Sequence, residues 1–241
     1  MRASTRTTAL VASALVLAAC TANPDDAPPP SAPSTGTPSE TATDAPTSTT
    51  ASGPGATVPT DAPADVLLPA EAWAPVTGPR EESEGTTAWH LPEACGGAEP
   101  EDALAMRTAA QGDGADEAQV GVQQVAVFDD ADLAAAEAAR LADALAACAE
   151  QGSAEGTAYA VEPLDVGAQG TGFTTDYYGA GEGGDPDTAL GTYLATTRRG
   201  TAVTLVALDG GESTVGAARE TVTGTARAAW DLLCRYDEAG C

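Results

Sequence analysis

Lysine is absent from this chain of 241 residues, and basic side chains are scarce throughout. Ten arginines stand against 36 aspartates and glutamates, which gives a formal net charge of -26 at pH 7. Recognition of a nucleic-acid backbone requires a basic surface, so this composition excludes nucleic acid as a partner. The acidity is typical of a highly soluble protein, with attraction of cations or basic partners as the alternative interpretation.

Residues that hold metals or perform catalysis are equally sparse. His90 is the single histidine, and the cysteines lack the paired C-x-x-C spacing of zinc sites. The acidic stretches 113–117 and 182–187 do not follow the spacing of a calcium-binding loop, and no G-x-S-x-G nucleophile motif is present. We therefore predict a non-enzymatic protein with no metal and no cofactor. We expect His90, beside Trp89, to be a packed structural residue, with a role as general base as the alternative.

Long hydrophobic runs are missing except at the start of the chain. Arg2 and Arg6 precede an apolar run over residues 9–19. That run is much shorter than the roughly 20 residues that a membrane-spanning helix needs. A charged start, a short apolar core and small residues before a cleavage point predict a secretory signal peptide over residues 1–19.

The leader ends in Leu17-Ala18-Ala19-Cys20, which resembles the lipobox of bacterial lipoproteins. The resemblance implies that Cys20 becomes the mature N-terminus and carries acyl chains such as palmitate. Two or more acyl chains hold a protein stably at a membrane. We therefore expect a lipid-anchored protein on the outer face of the cytoplasmic membrane, with an ordinary signal peptide as the alternative.

Aromatic residues are absent from the segment that follows Cys20. Residues 21–63 consist mainly of Pro, Thr, Ser, Ala and Asp, a composition that buries too little apolar surface to offset the entropy of ordering. We predict that residues 20–64 comprise the lipidated cysteine and a disordered tether. The remaining residues, 65–241, are long enough for one domain with its own core.

Four cysteines remain beyond Cys20. An even number in an exported domain favours two disulfides, and four cysteines allow three pairings. We favour Cys95–Cys148, which closes a long loop, and Cys234–Cys241, which ties the C-terminal segment to the last helix. A metal site formed by these cysteines is the alternative.

Hydrophobic periodicity predicts an α+β fold. Residues 119–128 form a predicted strand, in which a bulge near Gln123-Gln124 brings the valines onto one core-facing side. One helix begins after Asp129 or Asp130 and ends before Gly152, and a second covers residues 213–236. Further strands are predicted at 104–109, 157–161, 173–178, 190–198 and 201–208. This order implies an antiparallel sheet with helices packed on one side and two disulfides.

Several short segments together resemble a known extracellular domain. They are Val66-Leu67-Leu68-Pro69, Cys95 after a strand-like segment, Val125-Ala126-Val127-Phe128 before an alanine-rich helix with Cys148, Arg198-Arg199-Gly200 before a Val/Leu strand, and a C-terminal helix with Cys234. Their order resembles the PknH-like extracellular sensor domain, found on an actinobacterial serine/threonine kinase and in stand-alone lipoproteins. The resemblance implies two disulfides among Cys95, Cys148, Cys234 and Cys241, and a cleft for an unidentified small ligand. This chain carries neither a kinase domain nor a transmembrane helix, so we expect ligand binding or partner contact rather than signalling across the membrane.

The candidate ligand-binding residues are Trp89, Tyr177, Tyr178, Arg198 and Arg199. Tryptophan and tyrosine supply apolar contact area together with a polar group, and a pair of arginines can hold an anion. Core packing of the aromatics and pairing of the arginines with nearby carboxylates are the alternatives.

Two hypotheses about function follow. The first is an extracytoplasmic, sensor-like lipoprotein that binds a small ligand or an envelope protein without catalysis. The second is a cell-wall-modifying hydrolase, which requires His90 and a carboxylate within hydrogen-bonding distance in one cleft.

Overall fold

The computed structural model describes residues 58–152, 156–237 and 241. The predicted signal peptide, Cys20 and most of the predicted tether lie outside these residues, and the predictions for them stand as made. Within the described residues, no helix is long and apolar enough to cross a membrane.

A seven-stranded antiparallel sheet forms the centre of the described chain. Its strands are β1 (Arg80–Glu84), β2 (Ala105–Gln111), β3 (Val120–Val127), β4 (Ala158–Pro163), β5 (Ala168–Asp176), β6 (Gly191–Arg199) and β7 (Ala202–Asp209). Across the sheet they follow the order β1-β2-β3-β7-β6-β5-β4, which places the last strand of the chain at the centre. Every predicted strand is present, and β1 is an additional one.

Two α-helices complete the fold of the described residues, and both match the predicted positions. α1 (Ala131–Gln151) begins after Asp130, whose carboxylate accepts hydrogen bonds from two backbone N–H groups of the first turn. It ends at Gly152, whose φ of 61° is one that glycine adopts without strain. α2 (Val215–Leu232) continues into the 3-10 turn Leu233–Tyr236.

The two helices pack on opposite faces of the sheet. Leu205 and Ala207 of β7 belong to the core beneath α1, whereas Val206 and Leu208 belong to the core beneath α2. Because alternate residues of a strand point to opposite faces, the central strands are covered on both sides. The α+β class, the antiparallel sheet and the two disulfides are confirmed; the helices differ from the prediction in covering both faces rather than one.

The strand β3 runs without the bulge predicted near Gln123-Gln124. It pairs without a register shift with both β2 and β7. Val122 faces the α1 side, whereas Val125 and Val127 belong to a cluster on the other side. Both faces of β3 are buried, so valines on either face lie in a core. A bulge that brings them all to one face is therefore not required.

Two disulfides tie short segments to the helical parts of the fold. Cys95, in the short turn Glu93–Cys95, is bonded to Cys148 on the buried side of α1, with a Cα–Cα distance of 5.0 Å. Cys234 is bonded to Cys241 with a Cα–Cα distance of 6.1 Å. Both are the pairings favoured from the sequence.

Candidate functional site

A cleft opens at the end of the sheet where β5 and β7 end and β6 begins. It consists of two adjoining depressions, about 430 Å³ and about 380 Å³ in volume, which share Tyr177 and Asp209. We refer to these two depressions together as the sheet-end cleft. The larger is also lined by Tyr178, Leu190 and Glu212, and the smaller by His90, Glu93 and Thr192. The walls are therefore aromatic, aliphatic and acidic.

The glycine pair Gly210-Gly211 positions the acidic wall of the cleft. Both glycines have positive φ angles, 68° and 74°, in the left-handed region that glycine occupies at least cost. A Cβ atom on Gly211 would lie 2.5 Å from Cγ of Gln119, so a larger residue would have to displace that side chain. The turn ends β7 directly after Asp209 and leads the chain along the cleft through Glu212.

His90 and Asp209 form an ion pair in the smaller depression. Nε2 of His90 contacts Oδ2 of Asp209, and both side chains are 43% exposed. The backbone N–H of His90 donates to Oε1 of Gln124 at 2.6 Å, which holds this segment against β3. The hydrogen bond to Asp209 raises the pKa of His90 above its ordinary value and outweighs the opposing effect of burial. Asp209 therefore favours the protonated imidazole.

Two consecutive tyrosines form the aromatic part of the cleft. The rings of Tyr177 and Tyr178 are nearly perpendicular, at 82°, with centroids 6.4 Å apart. Tyr178 is 73% exposed, and its backbone N–H donates to Oδ1 of the buried Asp176 at 3.1 Å. Burial raises the pKa of Tyr177, so its phenol is neutral at physiological pH. An exposed ring on an anchored backbone is available to contact a ligand.

Trp89 lies in the core instead of lining the cleft. Its side chain is 2% exposed, and Nε1 donates to Oε1 of Glu137 at 2.6 Å. Glu137 in turn accepts a hydrogen bond from Nε of Arg140 at 2.8 Å. Trp89 is thus a packed residue beneath α1, as the alternative interpretation held, and its predicted ligand-binding role is corrected.

Arg198 and Arg199 lie at the other end of β6, next to the hairpin into β7. Nε of Arg198 donates to Oε1 of Gln169 at 2.8 Å. The guanidinium of Arg199 stacks on the ring of Trp230, 3.9 Å from the centroid, and its Nε donates to the carbonyl oxygen of Asp237 at 2.9 Å. Both arginines hold protein groups at the end of β6 away from the cleft, so the structure does not bring them together with Tyr177 and Tyr178.

The sequence pointed to Tyr177 and Tyr178 but missed Asp209 and Glu212. With 36 acidic residues in the chain, no single carboxylate stands out. The available signal was the position of Asp209 at the end of an apolar strand, directly before Gly210-Gly211. Such a placement puts a polar side chain at the edge of a sheet, next to a tight turn.

A further depression of about 640 Å³ lies beside β2, but its one basic side chain is already engaged by protein groups. Arg107 lines it and donates from Nε to the carbonyl oxygen of Ala62 at 2.8 Å. The same guanidinium also forms an ion pair with Glu84. We therefore place the candidate site at the sheet-end cleft.

The side chains that commonly bind metals do not cluster in the described part of the chain. Among residues 58–152, 156–237 and 241, no three His, Cys, Asp or Glu side chains lie close enough to share a metal ion. In the acidic stretches, Asp113 accepts from the N–H of Ala115 at 3.0 Å, and Asp187 pairs with Arg219. These carboxylates support a local turn and an ion pair.

Comparison with known proteins gives a distant structural likeness. No protein family matches the sequence, and no curated protein is significantly similar to it. Among solved structures, the chain is similar to the extracellular domain of PknH from Mycobacterium tuberculosis, with 14% sequence identity and a TM-score of 0.45. The matched region covers 68% of this chain and 92% of that structure.

Proposed function

We propose that this protein is a non-enzymatic ligand-binding domain of the PknH-like sensor type, which acts outside the cytoplasm. The observation that carries the proposal is the sheet-end cleft, in which Tyr177 and Tyr178 stand beside Asp209. Ligand pockets are concave, largely preformed and about 300–1,000 Å³ in volume, with apolar walls and a few polar groups. Both depressions of the cleft fall within that range, at about 430 Å³ and about 380 Å³.

The exposure of apolar side chains in the cleft supports binding. Tyr178 is 73% exposed and Leu190 is 39% exposed, and both line the larger depression. Burying such side chains removes apolar area from water, which is favourable when a ligand covers them. Exposed apolar groups rimmed by polar ones are typical of interaction sites. Asp209 and Glu212 provide that polar rim.

The location outside the cytoplasm is supported by the sequence and by the disulfides. Residues 1–19 have the pattern of an export signal, and Cys20 follows it at the position that lipoprotein processing acylates. Disulfides persist in oxidising compartments, and the domain contains two, Cys95–Cys148 and Cys234–Cys241. The proline-rich segment up to residue 64 would separate the domain from the membrane surface.

A thermal-shift screen of the oxidised chain tests ligand binding. The panel contains wall fragments, sugars, lipids, anions and amines, and binding to the native state raises the melting temperature with concentration. Tyr178→Ala is the matched variant, because substitution of an exposed side chain changes stability by about 0.5 kcal/mol or less. We expect at least one compound to stabilise the wild type and not the variant. A flat response across the panel would contradict small-ligand binding.

A cell-wall-modifying hydrolase is the second candidate, and the His90–Asp209 pair is the observation that favours it. A carboxylate that orients a histidine is a component of many general-base sites. The pair lines the smaller depression of the cleft together with Thr175 and Thr192. The hydroxyl-bearing side chains of these threonines are nearly buried, each 8% exposed. The test is to incubate wall fragments with the wild type and with His90→Ala. If only the wild type releases reducing ends or free amines, the protein is a hydrolase and our proposal is overturned. We expect no release.

The lipid anchor has its own test in cells. An alkyne analogue of palmitate should label the protein, and the labelled protein should fractionate with membranes. Cys20→Ala should abolish the label, because Cys20 supplies the acylated sulfur and N-terminus. Equal labelling of both proteins would contradict anchoring at Cys20.

A further inference from the structure

We propose that the sheet-end cleft binds a small organic cation, with an ammonium group held between Tyr177, Tyr178 and the carboxylates of Asp209 and Glu212. This inference deepens the proposed function and rests on it, because it assigns a chemical class to the ligand of the same cleft. Four observations carry it: the charge of the walls, the arrangement of the rings, the aliphatic lining and the position of the only histidine.

The charge of the cleft favours a cation. Asp209 and Glu212 line the larger depression, and Glu93 lines the smaller one. None of the arginines in the described part of the chain lines either depression, and the chain has no lysine. A cleft with charge of one sign concentrates ligands of the opposite sign. The net charge of -26 for the whole chain acts in the same direction.

The aromatic rings supply an interaction that a cation can use and a neutral ligand cannot. The faces of Tyr rings carry negative electrostatic potential, and an ammonium group within about 6 Å of a ring centroid is attracted to it. Tyr177 and Tyr178 meet at 82° with centroids 6.4 Å apart, so they form a corner. Leu190 and Val120 line the same depression and offer apolar surface to the methyl or methylene groups of an organic ammonium ion.

His90 adds pH control to this arrangement. It is the only basic side chain lining the described cleft. The other titratable groups of the smaller depression are Asp209, Glu93 and Tyr177, and the larger depression adds Glu212 and Tyr178. When His90 is protonated, its charge is paired with Asp209, and less of the negative charge is left for the ligand. Deprotonation frees the carboxylate of Asp209. Affinity for a cation should therefore increase as the pH rises through the pKa of His90.

Isothermal titration calorimetry with matched probes tests the proposal on the oxidised chain at about pH 9, well above the pKa of an ordinary histidine, because Asp209 raises the pKa of His90. Choline is compared with dimethylbutanol, in which carbon replaces the charged nitrogen, and butylamine is compared with butanol. We expect at least one cation to bind tenfold more tightly than its neutral counterpart, and to bind more weakly at about pH 5.5. Equal affinities for the charged and neutral probes, or no binding by either cation, would overturn the assignment.

Substitutions show whether binding occurs in this cleft. Glu212→Gln removes a charge from an exposed side chain and should weaken cation binding about threefold. Glu220→Gln makes the same change on an exposed position of α2 outside the cleft, and should leave affinity unchanged. Tyr178→Ala should weaken binding about fivefold, whereas Tyr178→Phe keeps the ring face and should retain it. Equal effects of the two glutamate substitutions would place the cation elsewhere and overturn the inference.

The test also separates this inference from the proposed function. If a sugar or an anion stabilises the protein through Tyr178 while no ammonium compound binds, the ligand-binding function holds and the cation assignment fails. If no probe of any class binds, both fail. If a cation binds more tightly than its neutral counterpart and Tyr178→Ala weakens the binding about fivefold, both are supported.

Discussion

The indole Nε1 of Trp89 donates a hydrogen bond of 2.6 Å to Oε1 of Glu137, a carboxylate side chain that is only 2% exposed. Glu137 also accepts from Nε and Nη2 of Arg140, at 2.8 Å and 2.6 Å. A buried charge is tolerated because it is paired and hydrogen-bonded. The contact fixes the segment before Cys95 against α1, and that segment carries His90 into the sheet-end cleft.

The first prediction concerns this buried carboxylate. Glu137→Ala should lower the free energy of unfolding by about 3 kcal/mol, because it leaves the Trp89 N–H and the Arg140 guanidinium without their partner. Asp143→Ala makes a similar change at an exposed position of α1 and should cost about 0.5 kcal/mol or less. Urea denaturation of the three proteins measures both values. Equal midpoints for the two variants would show that the contact adds no stability.

The second prediction concerns the titration of His90. Because Asp209 raises its pKa above 6.5 in the folded protein, protonation of His90 stabilises the fold. That contribution is fully present below the pKa of the unfolded chain and is lost as pH rises through the pKa of the folded one. The free energy of unfolding of the wild type should therefore be higher than that of His90→Asn at about pH 5.5, and this difference should be smaller at about pH 8.5. The difference should stay below about 1 kcal/mol, since the pair is half-exposed.

The single histidine allows a direct measurement of that pKa by proton NMR. The imidazole signal of the wild type should titrate with a midpoint above 6.5, and Asp209→Asn should lower the midpoint. A wild-type midpoint at or below 6.5 would contradict the ion pair seen in the structure.

The third prediction compares the two disulfides. Cys95–Cys148 joins residues 53 apart, and Cys234–Cys241 joins residues 7 apart. The entropy that a cross-link removes from the unfolded chain grows with loop length, so replacing both cysteines by alanine should cost about 4 kcal/mol for the long loop and about 2 kcal/mol for the short one. Calorimetry of the two double variants gives the order. A larger loss for the short loop would argue against the entropic explanation here.

The fourth prediction contrasts two glycines. A Cβ atom on Gly121 would lie 2.2 Å from Cε3 of Trp73, whereas one on Gly224 would meet nothing within 4 Å. Gly121→Ala should destabilise the protein by about 2 kcal/mol, because the indole must move from its packed position. Gly224→Ala lies on the exposed side of α2 and should stabilise by up to about 1 kcal/mol through helix propensity. Chemical denaturation that gives both changes the same sign would contradict this packing.

Local pattern was sufficient to predict most of the elements. The helices followed from the spacing of Leu and Ala residues and from Asp130 and Gly152 at the ends of α1. The strand β1 escaped because Arg80–Glu84 is entirely polar and mostly exposed, so it shows no alternation. The sequence did not predict that the helices cover opposite faces of the sheet, because β3 and β7 have apolar residues at both odd and even positions. That pattern fits a strand buried on both faces as well as a bulged strand buried on one.

The sequence predicted only some of the residues that line the cleft. Tyr177 and Tyr178 are neighbours in the chain, so their shared location needed no knowledge of the fold. His90 and Asp209 are 119 residues apart and meet only because β7 lies beside β3, which holds the His90 segment through Gln124. Arg198 and Arg199 belong to β6, which also lines the cleft, but they lie at the opposite end of that strand.

The polar strand β1 has one more effect. It lies at the outer edge of the sheet, where unpaired N–H and C=O groups invite the edge of another chain. Glu81, Glu82 and Glu84 are exposed there, so a second copy pairing at this edge would bring like charges together. The other edge, β4, ends in Pro163, which has no N–H to offer. Both outer strands of the sheet therefore carry features that disfavour edge-to-edge pairing with a second copy.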